Sequence, residues 1–205
     1  MDPALFVAEI THPYWPMPVG ATWTYNEVDA AGTEQRVVVE VTDQTRVIQG
    51  ITATVVHDQV TEDGELVEDT FDWYAQDAQG NLWYLGEDTK EYEGGVVMST
   101  AGSWEHGVDG ALAGIILPAS PAPGVAYRQE YYAGEAEDNG QILSVSEFVS
   151  VEFGSFEDVV MTRDTTPLEP DILEYKFYAP AVGLVMALSV SPDFAREELT
   201  EATGL

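Results

Sequence analysis

The 205-residue chain contains no cysteine, and only seven Lys and Arg stand against 37 Asp and Glu. The first absence excludes disulfides, thiolate metal sites and a cysteine nucleophile. The second leaves a formal net charge of −30. A field of that sign repels a phosphate backbone and so excludes nucleic-acid binding, and it disfavours an anionic membrane surface. Cations, cationic partners or salty surroundings suit it. No apolar run reaches the ~18 residues of a membrane-spanning helix. The start, "MDPALFVAEI", has neither a basic n-region nor a signal-peptide core, and is expected to be a mature chain trimmed of its signal. The motifs G-x-S-x-G, Walker A, G-x-G-x-x-G and H-E-x-x-H are all missing. Also missing is any long segment of 3.6-residue periodicity; the best helix candidates are the short "PALFVAEI" and "SPDFAREEL".

What the sequence does have is alternation. Its hydrophobic fraction of 45% is that of an ordinary globular chain. Segments such as "TWTYNEV", "EQRVVVEVTD", "ITATVVHDQV", "ELVEDTFDWYA", "QILSVSEFVSVEF" and "ILEYKFYA" alternate with period two, as strands do. Turn signals separate them at Ala31-Gly32, Asp63-Gly64, Gln79-Gly80-Asn81, Gly94-Gly95, Asn139-Gly140 and Gly154-Ser155. Residues 107–124, rich in Gly, Pro and Ala, read as a long connection carrying one short strand or helical turn. The expectation is a mainly β, single domain over 1–205. It would be an antiparallel meander of about ten strands, forming a half-barrel or closed barrel with one or two short helices.

Two terminal segments and a central one carry a family resemblance. "PYWPMPVGATWTY" resembles the opening of many bacterial secreted proteins and lipoproteins. "FGSFEDVVMTRDT…EYKFYAPAVGLV" is similar to their closing hairpins, with Ala181 in the first glycine place of a "YAPGVGLV" turn. "DWYAQDAQGNLWYLGED" resembles their "D-x-x-G-N-x-W-Y" hairpin. Some such proteins are lipoprotein carriers built as an open β half-barrel around an apolar cavity. The resemblance therefore implies that fold and, by analogy, ligand binding; most of these proteins have no assigned function. Together with the acidity it points to a secreted or cell-surface protein, with the cytoplasm of a halophile as the alternative.

The chemistry is sparse. In "VVHDQVTEDGELVEDTFDW" a three-residue loop, Glu62 to Gly64, sets Thr61 against Glu65, Gln59 against Val67 and His57 against Asp69. Val55 then faces Phe71, Ala53 faces Trp73 and Ile51 faces Ala75, so one face is apolar apart from the polar residues nearest the turn. Directly opposed, His57 and Asp69 would have Cβ atoms about 4.5–5.5 Å apart. They are either a polar pair closing the hairpin's edge, or a catalytic pair in which Asp69 orients His57 as base toward a cavity. His106 lies in the glycine-flanked loop "GSWEHGVDG" beside Trp104, and is either a binding-site or an exposed loop histidine. His12 begins the first strand. Arg128 is a surface ion-pair partner or a guanidinium that fixes a ligand, with Tyr132 beside it. Lys176, between Tyr175 and Phe177, is expected to face out. Phe71, Trp73 and Trp83 are core or pocket wall.

No metal site is expected and no cofactor; the acidic turns at 77–81 and 135–140 lack calcium-loop spacing and admit weak Ca²⁺ binding at most. Paired carboxylates are too common in this chain to signal glycoside chemistry. The leading expectation is a secreted protein binding a small apolar or amphipathic molecule in a barrel-like cavity. The alternative is a cofactor-independent hydrolase, lyase or isomerase using His57 and Asp69, with Arg128 or Tyr132 stabilising negative charge. A third is a structural surface domain.

Overall fold

β-Branched and aromatic residues at alternate positions fit a pleated, half-buried surface, and the chain is built almost wholly from strands. The computed structural model describes residues 1–192 and 194–205. A single 3₁₀ turn (Pro3–Leu5) precedes a small hairpin of β1 (Thr11–His12) and β2 (Trp15–Pro16). Then follow β3 (Thr22–Asp29), β4 (Glu34–Ile48), β5 (Ile51–Glu62), β6 (Glu65–Gln76), β7 (Leu82–Glu93), β8 (Val96–Ser99), β9 (Trp104–Glu105) and β10 (Leu112–Leu117). The second half carries β11 (Ala126–Arg128), β12 (Glu130–Tyr131), β13 (Asn139–Val151), β14 (Gly154–Thr165), β15 (Leu173–Ala179), β16 (Gly183–Ser191) and β17 (Ala195–Thr203).

One large antiparallel sheet runs β11-β13-β14-β15-β16-β17-β3-β4-β5-β6-β7-β10-β12. The expected antiparallel half-barrel is what forms, and the hydrogen-bonded path does not close. Its two end strands are nonetheless successive on the chain, with only Gln129 between them. Residues 126–128 pair with β13, and residues 130–131 pair with β10. The segment thus ties the two sheet edges together at one level and leaves the rest of the seam unpaired.

Three local expectations are corrected. "PALFVAEI" forms only the 3₁₀ turn, because Val7 and Ala78 spend their backbone N–H groups on the cross-chain carbonyls of Gln76 and Leu5. "SPDFAREEL" enters β17, which lies between β16 and β3 and completes the meander. Asn139-Gly140 is no turn but the start of β13. There a Cβ on Gly140 would sit 2.6 Å from the Tyr127 ring, so the glycine serves close approach of β11.

The β5–β6 hairpin turns in two residues, with Asp63 at φ 51° and Gly64 at φ 82°, the left-handed pair of a type I′ turn. Glu62 therefore faces Glu65 and Thr61 faces Leu66; Val67 is then an extra, bulged residue, so Val60 faces Glu68. Beyond the bulge Gln59 opposes Asp69, His57 opposes Phe71 and Val55 opposes Trp73. The expected register was off by two residues. An even slip keeps every side chain on its face, which is why the apolar stripe was still assembled correctly.

The outer face of β5–β7 carries a satellite core of Ile48, Ile51, Ala53, Val55, Trp73, Ala75 and Leu85, against which Phe6 of the N-terminal segment packs. Elsewhere the tip of the β13–β14 hairpin lies against β17, where Phe153 N–H donates to Leu199 O. Val149, Val151 and Val159 join Phe177 and Met186 in the main core cluster. Parts of the convex surface are thus roofed, and the concave surface is left to face a cavity.

Candidate functional site

His57 and Asp69 do meet: His57 Nε2 lies 2.7 Å from Asp69 Oδ1. Asp69 Oδ1 also accepts from Gln59 Nε2 at 3.1 Å, and the His57 ring stacks on Phe71 with centroids 4.2 Å apart. The contact is diagonal across the ladder rather than between directly opposed residues. Both side chains are half-buried on the convex face, and neither lines an interior cavity.

The aromatic candidates divide. Phe71, Trp73 and Trp83 belong to the convex satellite core; Arg46 sits 4.1 Å over the Trp73 ring, and Trp83 packs on Phe6. Trp104 is buried edge-on to Tyr84 at 5.4 Å. The His106 Nδ1 accepts from Ala113 N–H at 3.1 Å, holding its loop against β10. Arg128 is exposed and lies 4.6 Å over the Tyr131 ring. Tyr132 closes a tight turn with Ala136. His12 is buried, between Pro118 O and Tyr14 N–H.

The interior is built from other residues. The β1–β2 hairpin delivers Trp15 into the concavity, where its ring lies 5.7 Å from that of Tyr74 and 5.5 Å from that of Tyr178; Tyr84 stacks on Tyr74 at 5.0 Å. Two adjoining cavities of about 220 and 290 Å³ share Trp15, Tyr74, Glu87, Lys176 and Leu184 in their walls. Glu130 and Tyr178 also line the first, and Glu27, Asp58, Asp72 and Glu197 the second. Lys176 thus points inward, contrary to expectation. Its flanking Phe177 is buried too, on the opposite face, because that side of β15 is also covered.

The register places like charges opposite one another. Asp72 faces Glu87, Glu27 faces Glu197 and Asp164 faces Glu174. Directly opposed like charges destabilise a sheet. Lys176 answers only part of this, at 3.0 Å from Glu174 and 3.6 Å from Asp164. Tyr84 answers another part, donating its hydroxyl to Asp72 Oδ1 at 2.6 Å. The remainder raises the pKa values of the acids. Desolvation first, then Asp72 and Glu130, push Glu87 up to about 9. Desolvation, then Glu27 and Glu174, take Glu197 to about 8, while Glu130 rises to about 7 and Asp72 to about 6, burial being the largest cause for each. Asp58 is held well above the usual carboxylate range, by burial and then by Asp72. Desolvation opposes the charge of Lys176, but Glu174 and Asp164 outweigh it and raise its pKa well above the ordinary lysine value.

Sequence reasoning passed over these residues because each occupies the polar half of an alternating strand. Glu68, Thr70 and Asp72 on β6 read as a solvent face. A signal was present: strand register alone sets Glu27 against Glu197 and Asp72 against Glu87, and two exposed strands avoid such pairs. Among the described residues, no group of three His, Asp or Glu side chains is placed to hold a metal ion. The acidic turn at 77–81 has no free carboxylate for one. Asp77 accepts from Gln79 N–H, Asn81 N–H, Asn81 Nδ2 and Trp83 Nε1 at 2.8–2.9 Å.

Fold and site together define an open β half-barrel with an aromatic, acidic interior. No protein-family model matches the chain, and no curated protein matches it either. The chain is similar to solved structures. One is a Bacteroides fragilis protein of YmcC-like fold, inferred to be exported; the similarity covers 93% of this chain and 99% of that one, with a TM-score of 0.56 and 16% identity. Another is an inferred lipoprotein of Parabacteroides distasonis, with 93% and 98% covered, a TM-score of 0.49 and 12% identity. The first shows that this chain has a YmcC-like fold. No helix among the described residues is long and apolar enough to cross a membrane.

Proposed function

We propose that the protein is an exported half-barrel that holds an amphipathic small molecule in its concave interior. One observation carries the reading: two adjoining cavities whose walls combine stacked aromatic rings with carboxylates and a lysine. A site that mixes apolar rings with a few placed polar groups is the usual form of a small-molecule pocket. A purely apolar guest fits it poorly, since it would leave the lining carboxylates unsolvated and unpaired. Export is supported by the inferred export of the Bacteroides fragilis protein that shares the fold, and by a charge suited to a salty exterior. The acid–base enzyme alternative on His57 and Asp69 gains no support from a pair that lies outside both cavities.

Native mass spectrometry of protein secreted by its host is the direct test. It should show one small-molecule adduct per chain, strongly reduced in Trp15→Ala, which removes a wall common to both cavities. A wild-type chain that carries no adduct and takes up no added amphiphile would overturn the proposal.

A further inference from the structure

We infer that the guest of this cavity carries an ammonium group, held between the carboxylates and the aromatic rings around Trp15. The inference rests on the cavity reading above and names the class of molecule. Three independent features converge on it.

First, an acidic side chain is left waiting. Glu130 is only 7% exposed and lines the cavity, yet its Oε2 is fully buried and has no hydrogen-bond partner. The Trp104 indole N–H favours the ionised Glu130 but makes no hydrogen bond, and burial outweighs it. Asp164, 6% exposed, leaves its Oδ1 unpartnered behind Lys176, and Asp58 leaves its Oδ1 unpartnered in the adjoining cavity. Buried acceptors without donors are rare and costly. An ammonium brings up to three donors and no acceptor, and so can take the place of the protons that these raised acids otherwise hold.

Second, aromatic rings share the space with these acids. Trp15, Tyr74, Tyr84 and Tyr178 line the first cavity with Glu87 and Glu130. Ring faces attract an ammonium most strongly where water is excluded.

Third, the geometry favours an organic cation over a metal ion. The carboxylates are spread over several strands, and no three of them are placed to ligate one ion. Lys176 is itself an ammonium on a flexible stem, already accommodated beside Glu174 and Asp164. It shows what this interior stabilises, and it leaves Glu87 and Glu130 for a second cation. An anionic guest would face these acids with one engaged lysine to receive it.

Binding of three probes of equal chain length tests the inference by calorimetry at pH 7.5: hexylammonium, hexanol and hexanoate. Hexylammonium should bind about tenfold or more tighter than hexanol, and hexanoate should not bind. Glu130→Gln, nearly isosteric, should weaken hexylammonium about fivefold or more while leaving hexanol unchanged. Should the first variant fail to fold, Glu87→Gln provides the comparison, since an ammonium must displace the proton that Glu87, raised to about 9, holds at pH 7.5. Hexanol binding as tightly as hexylammonium would overturn the ammonium assignment and leave the amphiphile reading standing. Loss of hexylammonium binding in CaCl₂, but not in NaCl of equal ionic strength, would overturn it in favour of a metal ion. Binding of none of the three would sink both readings.

Discussion

Lys176 shows how little one residue's neighbours on the chain can tell. Tyr175 and Phe177 flank it, and a strand with one covered face would bury the aromatics and expose the lysine. Here β15 is covered on both sides, so alternation still separates the two sets but cannot say which meets the cavity. Ala181 is the opposite case, legible from the outset. It fills the first glycine place of the closing turn and adopts φ 60°, a left-handed conformation that costs a residue with a Cβ roughly 1–2 kcal/mol. Its side chain is exposed, so nothing is gained in return. Ala181→Gly should therefore stabilise the protein by about 0.5–1 kcal/mol after the entropy of the added glycine is counted. Urea unfolding measures this; a loss of stability would show that the methyl group is needed.

At the scale of elements, strands were legible and turn geometry was only partly so. The β5–β6 face emerged correctly from an incorrect register, since hydrophobic patterning constrains parity more tightly than pairing. The bulge at Val67 leaves no mark in composition. Asn139-Gly140 has the residues of a turn, but its glycine answers to Tyr127, its direct partner on the adjacent strand, a pairing invisible locally. The β6–β7 turn was readable as a motif, and its structure supplies the reason. Asp77 is 6% exposed and satisfies two backbone and two side-chain donors. Replacing it with alanine leaves those donors without their acceptor. Asp77→Ala should cost about 3 kcal/mol, seen as a lower urea midpoint with an unchanged slope. A cost below about 1 kcal/mol would mean that water replaces the carboxylate freely.

For the whole molecule, the interior carboxylates make stability depend on pH in an unusual direction. Asp72, Glu130, Glu197 and Glu87 have pKa values raised to about 6, 7, 8 and 9. Between the ordinary carboxylate range near 4 and those values, the folded chain binds more protons than the unfolded one, so stability falls as pH rises. Lys176, raised above its usual value, contributes stability fully present below its unfolded pKa, above this window. Asp77 is lowered, burial being outweighed by its hydrogen bonds, and its contribution is lost only on acidification below the window. The melting temperature should therefore be higher at pH 5.5 than at pH 8.5, by about 5 °C or more. At pH 8.5, raising NaCl should recover part of the difference by screening the −30 charge. A flat profile would show that these acids are solvated.

The sequence by itself determined the strands, their antiparallel order along most of the chain, the acidity and the partition of each strand into two faces. Those follow from local sterics and from period-two patterning, which are properties of neighbouring residues. Only the tertiary structure decided which face is concave. Curvature is set by how the fifteen strands of the large sheet described here pair and by what roofs the outside, and no single strand encodes it. That choice put Val55, Trp73 and the His57–Asp69 pair on the convex side and turned Asp58, Asp72, Glu87, Lys176 and Glu197 inward. It is why the candidate site moved from a histidine on an apolar stripe to acids on a polar one.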